Sequence, residues 1–140
     1  MNKIVTQARS WLGTPFKHQA RLKHVGCDCI GLIVGVVGEL DLTSINGTKL
    51  IDYDAHGYSR LPDGQLLQQG LEACLQPSDN MQAGDVVMMK FRDEPQHVGI
   101  VSDYGDEFGL IHCYAEAGKV VEHHLDELWS SRVLKSYRIG

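Results

Sequence analysis

The amino-acid sequence predicts an α+β fold, in which N-terminal helices pack on an antiparallel β-meander. Apolar residues recur at helical spacing in residues 2–12, and residues 29–40 are nearly all apolar or glycine over a length that suits a buried helix. The second half instead contains short apolar segments separated by turn-forming residues, which is typical of strands. With 140 residues, no internal repeat and no low-complexity linker, the chain is predicted to form one domain over residues 1–140.

Turn and capping residues divide the first half into its elements. Gly13-Thr14-Pro15 ends the first helix, because proline disfavours helical geometry in the residue before it. Residues 16–26 are predicted to be a basic loop, and Asp28 is placed to cap the second helix. Residues 41–63 carry scattered turn-forming residues, so we expect an ordered loop that leads into a short helix near 64–75.

The second half is predicted to consist of strands joined by tight turns. The run Val86-Val87-Met88-Met89 follows Gly84-Asp85, and a continuous apolar run of this length indicates a central strand that is buried on both faces. Further strands are predicted at 97–103, 108–114, 119–123 and 132–139, with one or two helical turns over 126–131.

Charge is distributed unevenly along the chain. Thirteen Lys and Arg against eighteen Asp and Glu give a net charge of −5, yet residues 1–27 contain five basic residues and no acidic one. The rest of the chain is strongly acidic, whereas a nucleic-acid partner needs a broad basic surface, so none is expected. No apolar stretch approaches the roughly 20 residues that cross a bilayer, so no membrane insertion is expected.

The cysteines are predicted to be free thiols. The N-terminus lacks the apolar segment of a secretory signal, so we expect synthesis in the cytoplasm, where the four cysteines do not form a disulfide framework. A zinc site built from Cys27, Cys29, His97 and His112 is an alternative. Because C-x-C is a weaker zinc pattern than C-x-x-C and no second cysteine pair completes it, neither a metal nor a cofactor is predicted.

Cys29 is the residue with the most informative chemistry. If the second helix begins at Asp28 or Cys29, the sulfur lies beside unpaired backbone N–H groups and the positive end of the helix dipole, which favour the thiolate. The same N–H groups could donate to an oxyanion that develops on a substrate carbonyl. Asp28 flanks this site and is expected to cap the helix rather than to catalyse. The alternative for Cys29 is a buried structural cysteine.

Two histidines could serve such a nucleophile. His97 opens an apolar strand and His112 lies in the next strand, so a hairpin places both on one face when paired residue numbers add to an odd number. A sum of 209 puts them directly opposite, and 211 puts them on a diagonal. His97 would then be the base and His112 would orient it. Packing or surface histidines are the alternative, and His123 and His124 are expected to mark a strand end at the surface.

These segments resemble the NlpC/P60 family of papain-like cysteine peptidases. Asp28-Cys29-Ile30-Gly31-Leu32 is similar to the family's Asp-Cys-Ser-Gly-hydrophobic pattern, and the catalytic-histidine segment His-Val-Gly-Ile is intact at 97–100. The loop Gly13-Thr14-Pro15-Phe16, the turn Gly84-Asp85-Val86 and the third polar residue, His112, also match. The resemblance covers essentially the whole chain. It implies a papain-like fold and hydrolysis of an amide bond in bacterial cell-wall stem peptides by Cys29, His97 and His112.

A branch of the family associated with phage or prophage tails is the closer match. The chain is similar to this branch at residues 8–19 and 26–29, and the similarity extends through 58–64, 95–97 and 120–123. The resemblance therefore implies peptidoglycan as the substrate and phage tail-tip proteins as partners. It also implies action as part of a virion, or after delivery to the periplasm or cell wall.

The loop before Cys29 departs from the family pattern. The family's loop Tyr is implied to help bind the oxyanion, but Phe16 has no hydroxyl group. Loss of one such donor can cost on the order of 100-fold in rate, so His18 is a candidate replacement donor. Arg21 and Lys23 lie on the same loop and could attract the carboxylates of stem peptides. A solvated loop is the alternative for these three residues.

Two other functions use the same features. A papain-like amidase, deamidase or acyltransferase would apply the same scaffold to another substrate. A tail-tip assembly protein with weak or vestigial catalysis would keep the fold without the full chemistry, and Phe16 is the residue that best supports this alternative.

Overall fold

In the part of the chain that the structure describes, three helices precede most of the strands. This computed structural model describes residues 2–42, 64–91 and 94–139. The elements are, in order, α1 (Lys3–Arg9), β1 (Arg21–Leu22), β2 (Gly26–Cys27), α2 (Cys29–Glu39), α3 (Gly64–Cys74), β3 (Gln76–Ser78), β4 (Val86–Phe91), β5 (Glu94–Tyr104), β6 (Glu107–Cys113), β7 (Val120–His124), α4 (Glu127–Ser130) and β8 (Val133–Arg138). The α+β class predicted from the sequence is confirmed.

A six-stranded antiparallel sheet forms the body of the fold. Its strand order is β3-β8-β4-β5-β6-β7, so β4 to β7 form the predicted meander. The meander is not the whole sheet, because β8 returns to pair with β4 and β3 pairs with β8 at the edge. The sequence analysis did not predict β3, whose three residues, Gln76–Ser78, are exposed or half-buried and show no apolar pattern.

The sheet is buried on both faces near its centre. Val86 and Met88 belong to the core that faces α2 and α3, whereas Val87 and Met89 belong to a core on the opposite face. All four residues are at most 2% exposed, which explains why the sequence shows a continuous apolar run rather than an alternating one. The predicted central strand is therefore confirmed.

Helix α1 packs closely against α2. The ring of Trp11, which follows α1, occupies the space above Gly35, where a Cβ atom would lie 2.2 Å from Trp11 Cζ2. The indole Nε1 donates to Glu39 Oε1 at 2.7 Å, at the last residue of α2. The glycine in the middle of α2 thus allows a large aromatic side chain to fix the position of this helix.

The ends of the first two helices depend on capping side chains. Asn2 accepts hydrogen bonds from the backbone N–H groups of Ile4 and Val5, so α1 begins as predicted, but it ends at Arg9 rather than near residue 12. Residues 10–13 turn instead, with Gly13 at φ +86° and its N–H donating to Val120 O at 3.0 Å. Helix α2 begins at Cys29 with Asp28 as its N-cap, as predicted.

Residues 16–26 are more ordered than the predicted loop. Strands β1 and β2 pair as a short antiparallel hairpin, and isolated bridges join Phe16 to Cys27 and Pro15 to Lys119. Strands of two residues are too short to produce an apolar alternation, so they could not be detected from the sequence. The predicted ordered loop over 41–63 lies outside the described residues from position 43 onward. The short helix predicted near 64–75 is found as α3. No helix in the described ranges is long and apolar enough to cross a membrane.

Candidate active site

Cys29 is the first residue of α2 and is buried. Only 7% of its surface is exposed. The Asp28 carboxylate, which precedes it, accepts a hydrogen bond from Gly31 N through Oδ1 at 2.7 Å and so completes the first turn. The sequence therefore places the thiol at a helix start through a capping residue and an apolar run, as predicted.

The second oxygen of Asp28 holds the preceding loop over the helix start. Asp28 Oδ2 accepts from Gln19 N at 2.7 Å, and His18 Nδ1 lies 3.9 Å from the same oxygen. The loop comes so close that a Cβ atom on Gly31 would lie 2.1 Å from Ala20 O. Gly31 is therefore required by this approach, and the loop forms one wall beside Cys29.

Burial controls the protonation of the Cys29 thiol. Burial is the largest effect and, with the negative charge of Asp28, raises the pKa of Cys29 to about 12, although the backbone N–H groups of Val98 and Ile30 oppose this increase. The sequence analysis expected the helix start to favour the thiolate, and this expectation is wrong for the resting protein. The sulfur lies against β5 at Val98, the residue after His97.

His97 lies in β5 at a β-bulge. The pairing of β5 with β4 shifts between Met89 and Lys90, next to the Met89–His97 pair, and bulges of this kind re-aim a side chain. His97 is 2% exposed, and burial, with a smaller contribution from Arg132, lowers its pKa to about 3. Its imidazole is therefore neutral in the resting protein.

His97 and His112 are in direct contact. His97 Nε2 lies 2.8 Å from His112 Nδ1 within hydrogen-bond geometry. The register of β5 and β6 pairs Ile100 with Ile111 and Val101 with Leu110, which gives the sum of 211 and hence the diagonal arrangement. Burial, followed by the nearby imidazoles, lowers the pKa of His112 to about 2.

A third histidine extends this pair. His112 Nε2 lies 2.8 Å from His123 Nε2, and His123 Nδ1 lies 2.9 Å from the backbone oxygen of His124. The sequence analysis assigned His123 to the surface, which is wrong because its ring is half-buried against His112. The register of the structure explains its position: β6 and β7 pair with an odd sum of 233, so His112 and His123 share a face.

Two aromatic side chains enclose the histidines. The Trp129 ring, from α4, lies 4.8 Å from His112 and 5.2 Å from His123 between centroids. Tyr114 packs at 4.8 Å from His112 and 6.0 Å from His97. The guanidinium of Arg132 lies 4.6 Å above the Trp129 ring and covers it from outside. Sequence reasoning missed Trp129 and Tyr114 because neither is polar at a motif position.

The loop residues predicted for substrate binding are not all placed together. Phe16 is half-buried and joined through its backbone to Cys27, two residues before Cys29. Arg21 donates to Gln19 O at 2.8 Å, close to the residue held by Asp28. Lys23 Nζ instead lies 2.8 Å from Glu39 Oε2, at the opposite end of α2. The structure therefore does not bring Lys23 to Cys29.

Cys27 belongs to a different core cluster from Cys29. It is fully buried, and Cys113 Sγ donates to Cys27 O at 3.3 Å. Burial and contact with Cys113 raise the pKa of its thiol strongly, with the Cys113 contact as the largest cause. In the described ranges, no group of three or more His, Cys, Asp or Glu side chains is arranged to hold a metal ion.

The architecture and the site together define a class, that of α+β papain-like proteins with a cysteine at a helix start and histidines on the adjoining strands. The chain belongs to the NlpC/P60 family, whose sequence model matches residues 13–138. No curated protein matches the chain significantly.

Several solved structures share this fold. The NlpC/p60 domain of the peptidoglycan hydrolase SagA superposes with a TM-score of 0.64 and 17% identity, over 99% of this chain and 100% of that one. An N-acetylmuramoyl-L-alanine amidase from Bacteroides uniformis gives 0.63 and 13%, over 99% of both chains. A protein similar to a lipoprotein of the NLP/P60 family from Staphylococcus aureus gives 0.61 and 18%, where this chain covers 97% of its own length and only 40% of the longer relative. At these identities the likeness concerns the fold.

Proposed function

We propose that the protein is a cysteine peptidase that hydrolyses an amide bond in the stem peptides of bacterial peptidoglycan. The observation that carries the proposal is the buried Cys29 at a capped helix start, against strand β5, whose His97 is bonded to His112 on β6. Family membership supports a cell-wall hydrolase, and so do the peptidoglycan hydrolase and the amidase among the similar structures.

The mechanism begins from a neutral thiol and a neutral imidazole. Because His97 Nε2 is bonded to His112, Nδ1 is the nitrogen of His97 that takes the proton from Cys29 as the sulfur attacks the carbonyl carbon. N–H groups in the first turn of α2 other than that of Gly31, which is bonded to the Asp28 carboxylate, donate to the oxyanion. Coupling proton transfer to attack avoids a free thiolate, which the buried site disfavours.

The second half of the reaction returns the enzyme to its starting state. The protonated His97 donates its proton to the leaving amine, the C–N bond breaks, and Cys29 is left as a thioester. His97 then takes a proton from a water molecule whose oxygen attacks the thioester, and it returns that proton to the departing sulfur. His112 holds the ring of His97 throughout both steps.

A role in a phage tail, with delivery to the cell wall, completes the proposal. It is supported by the similarity of residues 8–19 and 26–29 to the tail-associated branch of the family. Stem peptides carry carboxylates, and Arg21 is the basic loop residue that lies near Asp28 and the start of α2 through its bond to Gln19. Binding of the purified protein to tail-tip proteins in a reconstituted tail would test this part separately.

Digestion of purified sacculi tests the central claim. The wild-type protein should release peptide fragments whose masses identify the cleaved bond, and C29A should release none above background. C27S provides the matched control, because Cys27 is a neighbouring thiol with no proposed role in the chemistry, and it should keep the fragment pattern. Fragment release that is equal in C29A and the wild type would refute the proposal.

A tail-tip assembly role with weak catalysis is the second candidate, favoured by the phenyl ring of Phe16 where the family has a hydroxyl. His18 is the proposed replacement donor, and its ring lies 3.9 Å from Asp28 Oδ2, near Cys29. If His18 supplies the donor, H18A should lower kcat on a stem-peptide substrate by on the order of 100-fold. Activity of H18A equal to the wild type would exclude the replacement, and only weak cleavage by the wild type itself would favour the assembly role.

A further inference from the structure

Three imidazoles form an unbroken hydrogen-bonded chain that ends on the protein backbone. It runs from His97 Nε2 to His112 Nδ1 at 2.8 Å, and from His112 Nε2 to His123 Nε2 at 2.8 Å. It ends where His123 Nδ1 meets the carbonyl oxygen of His124 at 2.9 Å. We call these three side chains the histidine relay.

His97 and His112, the two buried members of the relay, each carry a single N–H. His97 and His112 are almost completely buried, and burial lowers their pKa values to about 3 and about 2. A neutral imidazole donates from one nitrogen and accepts at the other. Both nitrogens of His112 are engaged, so the relay has only two arrangements, with all donors pointing outward from His97 or all pointing inward.

The backbone carbonyl selects between these arrangements. An oxygen of this kind only accepts, so His123 Nδ1 must carry the hydrogen. A neutral His123 then accepts at Nε2, His112 donates from its own Nε2, and His97 donates from Nε2 to His112 Nδ1. The inward arrangement would require a second proton on His123.

We propose that His123, anchored on the carbonyl of His124, is a positioning residue that fixes the tautomer of His97. With the hydrogen of His97 held on Nε2, its Nδ1 has the lone pair that a general base for Cys29 needs. Placed on Nδ1 instead, the hydrogen would leave His97 unable to accept the thiol proton. This inference rests on the proposed function, because it assigns His123 a role in that same reaction.

Trp129 keeps water from replacing members of the relay. Its ring packs edge-on against His112, with planes at 83°, and lies tilted against His123. A water molecule between two imidazoles could reorient and accept or donate in either direction, which would remove the preference. The aromatic cover therefore makes the direction depend on His123.

Two substitutions of opposite hydrogen-bonding character test the proposal. In H123E the carboxylate only accepts, so it preserves the outward direction, whereas in H123K the ammonium only donates and reverses it. Because His123 is half-buried, the charged end of either side chain can contact His112 and still remain partly hydrated. Leu128, in α4 and 60% exposed, provides the control for added positive charge as L128K.

Nitrogen-15 NMR of the imidazoles reads the tautomer without any substrate. The Nε2–H form of His97 is expected in the wild type, H123E and L128K, and the Nδ1–H form in H123K. Turnover of a stem-peptide substrate should follow. H123K should lose at least about tenfold in kcat, because each turnover must break a relay hydrogen bond to restore the base. KM should change little, and H123E should stay within about threefold of the wild type.

The outcomes separate this inference from the proposed function. An Nδ1–H tautomer of His97 in the wild type overturns the inference even if sacculi are cleaved. A His97 tautomer that is the same in H123K as in the wild type overturns it as well. Equal losses of kcat in H123E and H123K would also overturn it, because they would indicate a purely structural role. A wild type that cleaves no sacculi but shows the expected tautomers would refute the proposed substrate and keep the relay.

Discussion

Replacing Gly31 by Ala should be far more damaging than the same change elsewhere in a helix of this protein. A Cβ atom at position 31 would lie 2.1 Å from Ala20 O, more than about 1 Å inside normal contact distance. The position of the Cβ atom is set by the helix backbone and Ala20 O is a backbone atom, so neither can rotate away and the loop has to move. Gly70, in α3, is the matched control because an added Cβ meets nothing within 4 Å there.

The expected magnitude follows from three contributions. Displacing the loop breaks the bond from Gln19 N to the Asp28 carboxylate, which is worth about 1.5–3 kcal/mol. Forcing an extra methyl group into a packed site costs about 1–3 kcal/mol more, while the better helix propensity of Ala returns about 1 kcal/mol. G31A should therefore lower the free energy of unfolding by about 1.5–5 kcal/mol, whereas G70A should raise it by up to about 1 kcal/mol.

Urea unfolding and single-turnover kinetics measure the two effects. A shift of about 1 Å in the wall beside Cys29 should reduce kcat by on the order of 100-fold in G31A, and G70A should keep wild-type kinetics. Equal unfolding midpoints for G31A and G70A would show that the loop does not press on Gly31. An unstable but fully active G31A would show instead that the loop position is irrelevant to catalysis.

Three further predictions concern acid stability, the oxyanion and substrate charge. Burial lowers the pKa values of His97 and His112 from 6.5 to about 3 and about 2, so between those values the unfolded chain binds more protons. The free energy of unfolding should therefore be highest above pH 6.5 and should fall by roughly 2 kcal/mol for each histidine when the pH reaches 5. Urea titrations at several pH values measure this decrease. F16Y should raise kcat by up to about 100-fold if the missing hydroxyl limits the reaction. R21E should reduce kcat/KM by about threefold at low salt and less at high salt, and K23E should have a smaller effect.

Each of these predictions has an internal comparison. The pH dependence of unfolding should become shallower in H97Q and H112Q, and an unchanged slope in both would contradict its assignment. F16Y with kcat equal to the wild type would show that the hydroxyl is dispensable in this chain. Equal losses in R21E and K23E would contradict electrostatic attraction near Cys29, because Lys23 is paired with Glu39 at the far end of α2.

The parts of the fold that follow from local signals were predictable. Asp28 followed by an apolar run specified α2, and the run from Val86 to Met89 specified a strand buried on both faces. That an odd sum puts His97 and His112 on one face followed from the period of two in a strand, and the structure selects 211 from the two sums considered. These features depend on residues that are close in sequence.

The parts that depend on distant contacts were not predictable. The protonation of Cys29 depends on how completely α2 and β5 enclose it, and burial there outweighs the helix dipole. Lys23 was grouped with Arg21 by sequence distance, yet the hairpin β1–β2 directs it to Glu39. His123 was missed because two adjacent histidines at a strand end usually face solvent, and only the pairing of β6 with β7 shows that one of them faces inward.

The final acceptor beside His123 is a main-chain oxygen, and this affects how the site tolerates mutation. A side-chain acceptor can be lost through a single amino-acid substitution, but the carbonyl of residue 124 persists whatever amino acid occupies that position. The side chain of His124 is partly exposed and pairs with Glu107, so it can be replaced without removing this acceptor. The site therefore requires at position 124 a backbone geometry, which the pairing of β7 with β6 holds, rather than a particular side chain.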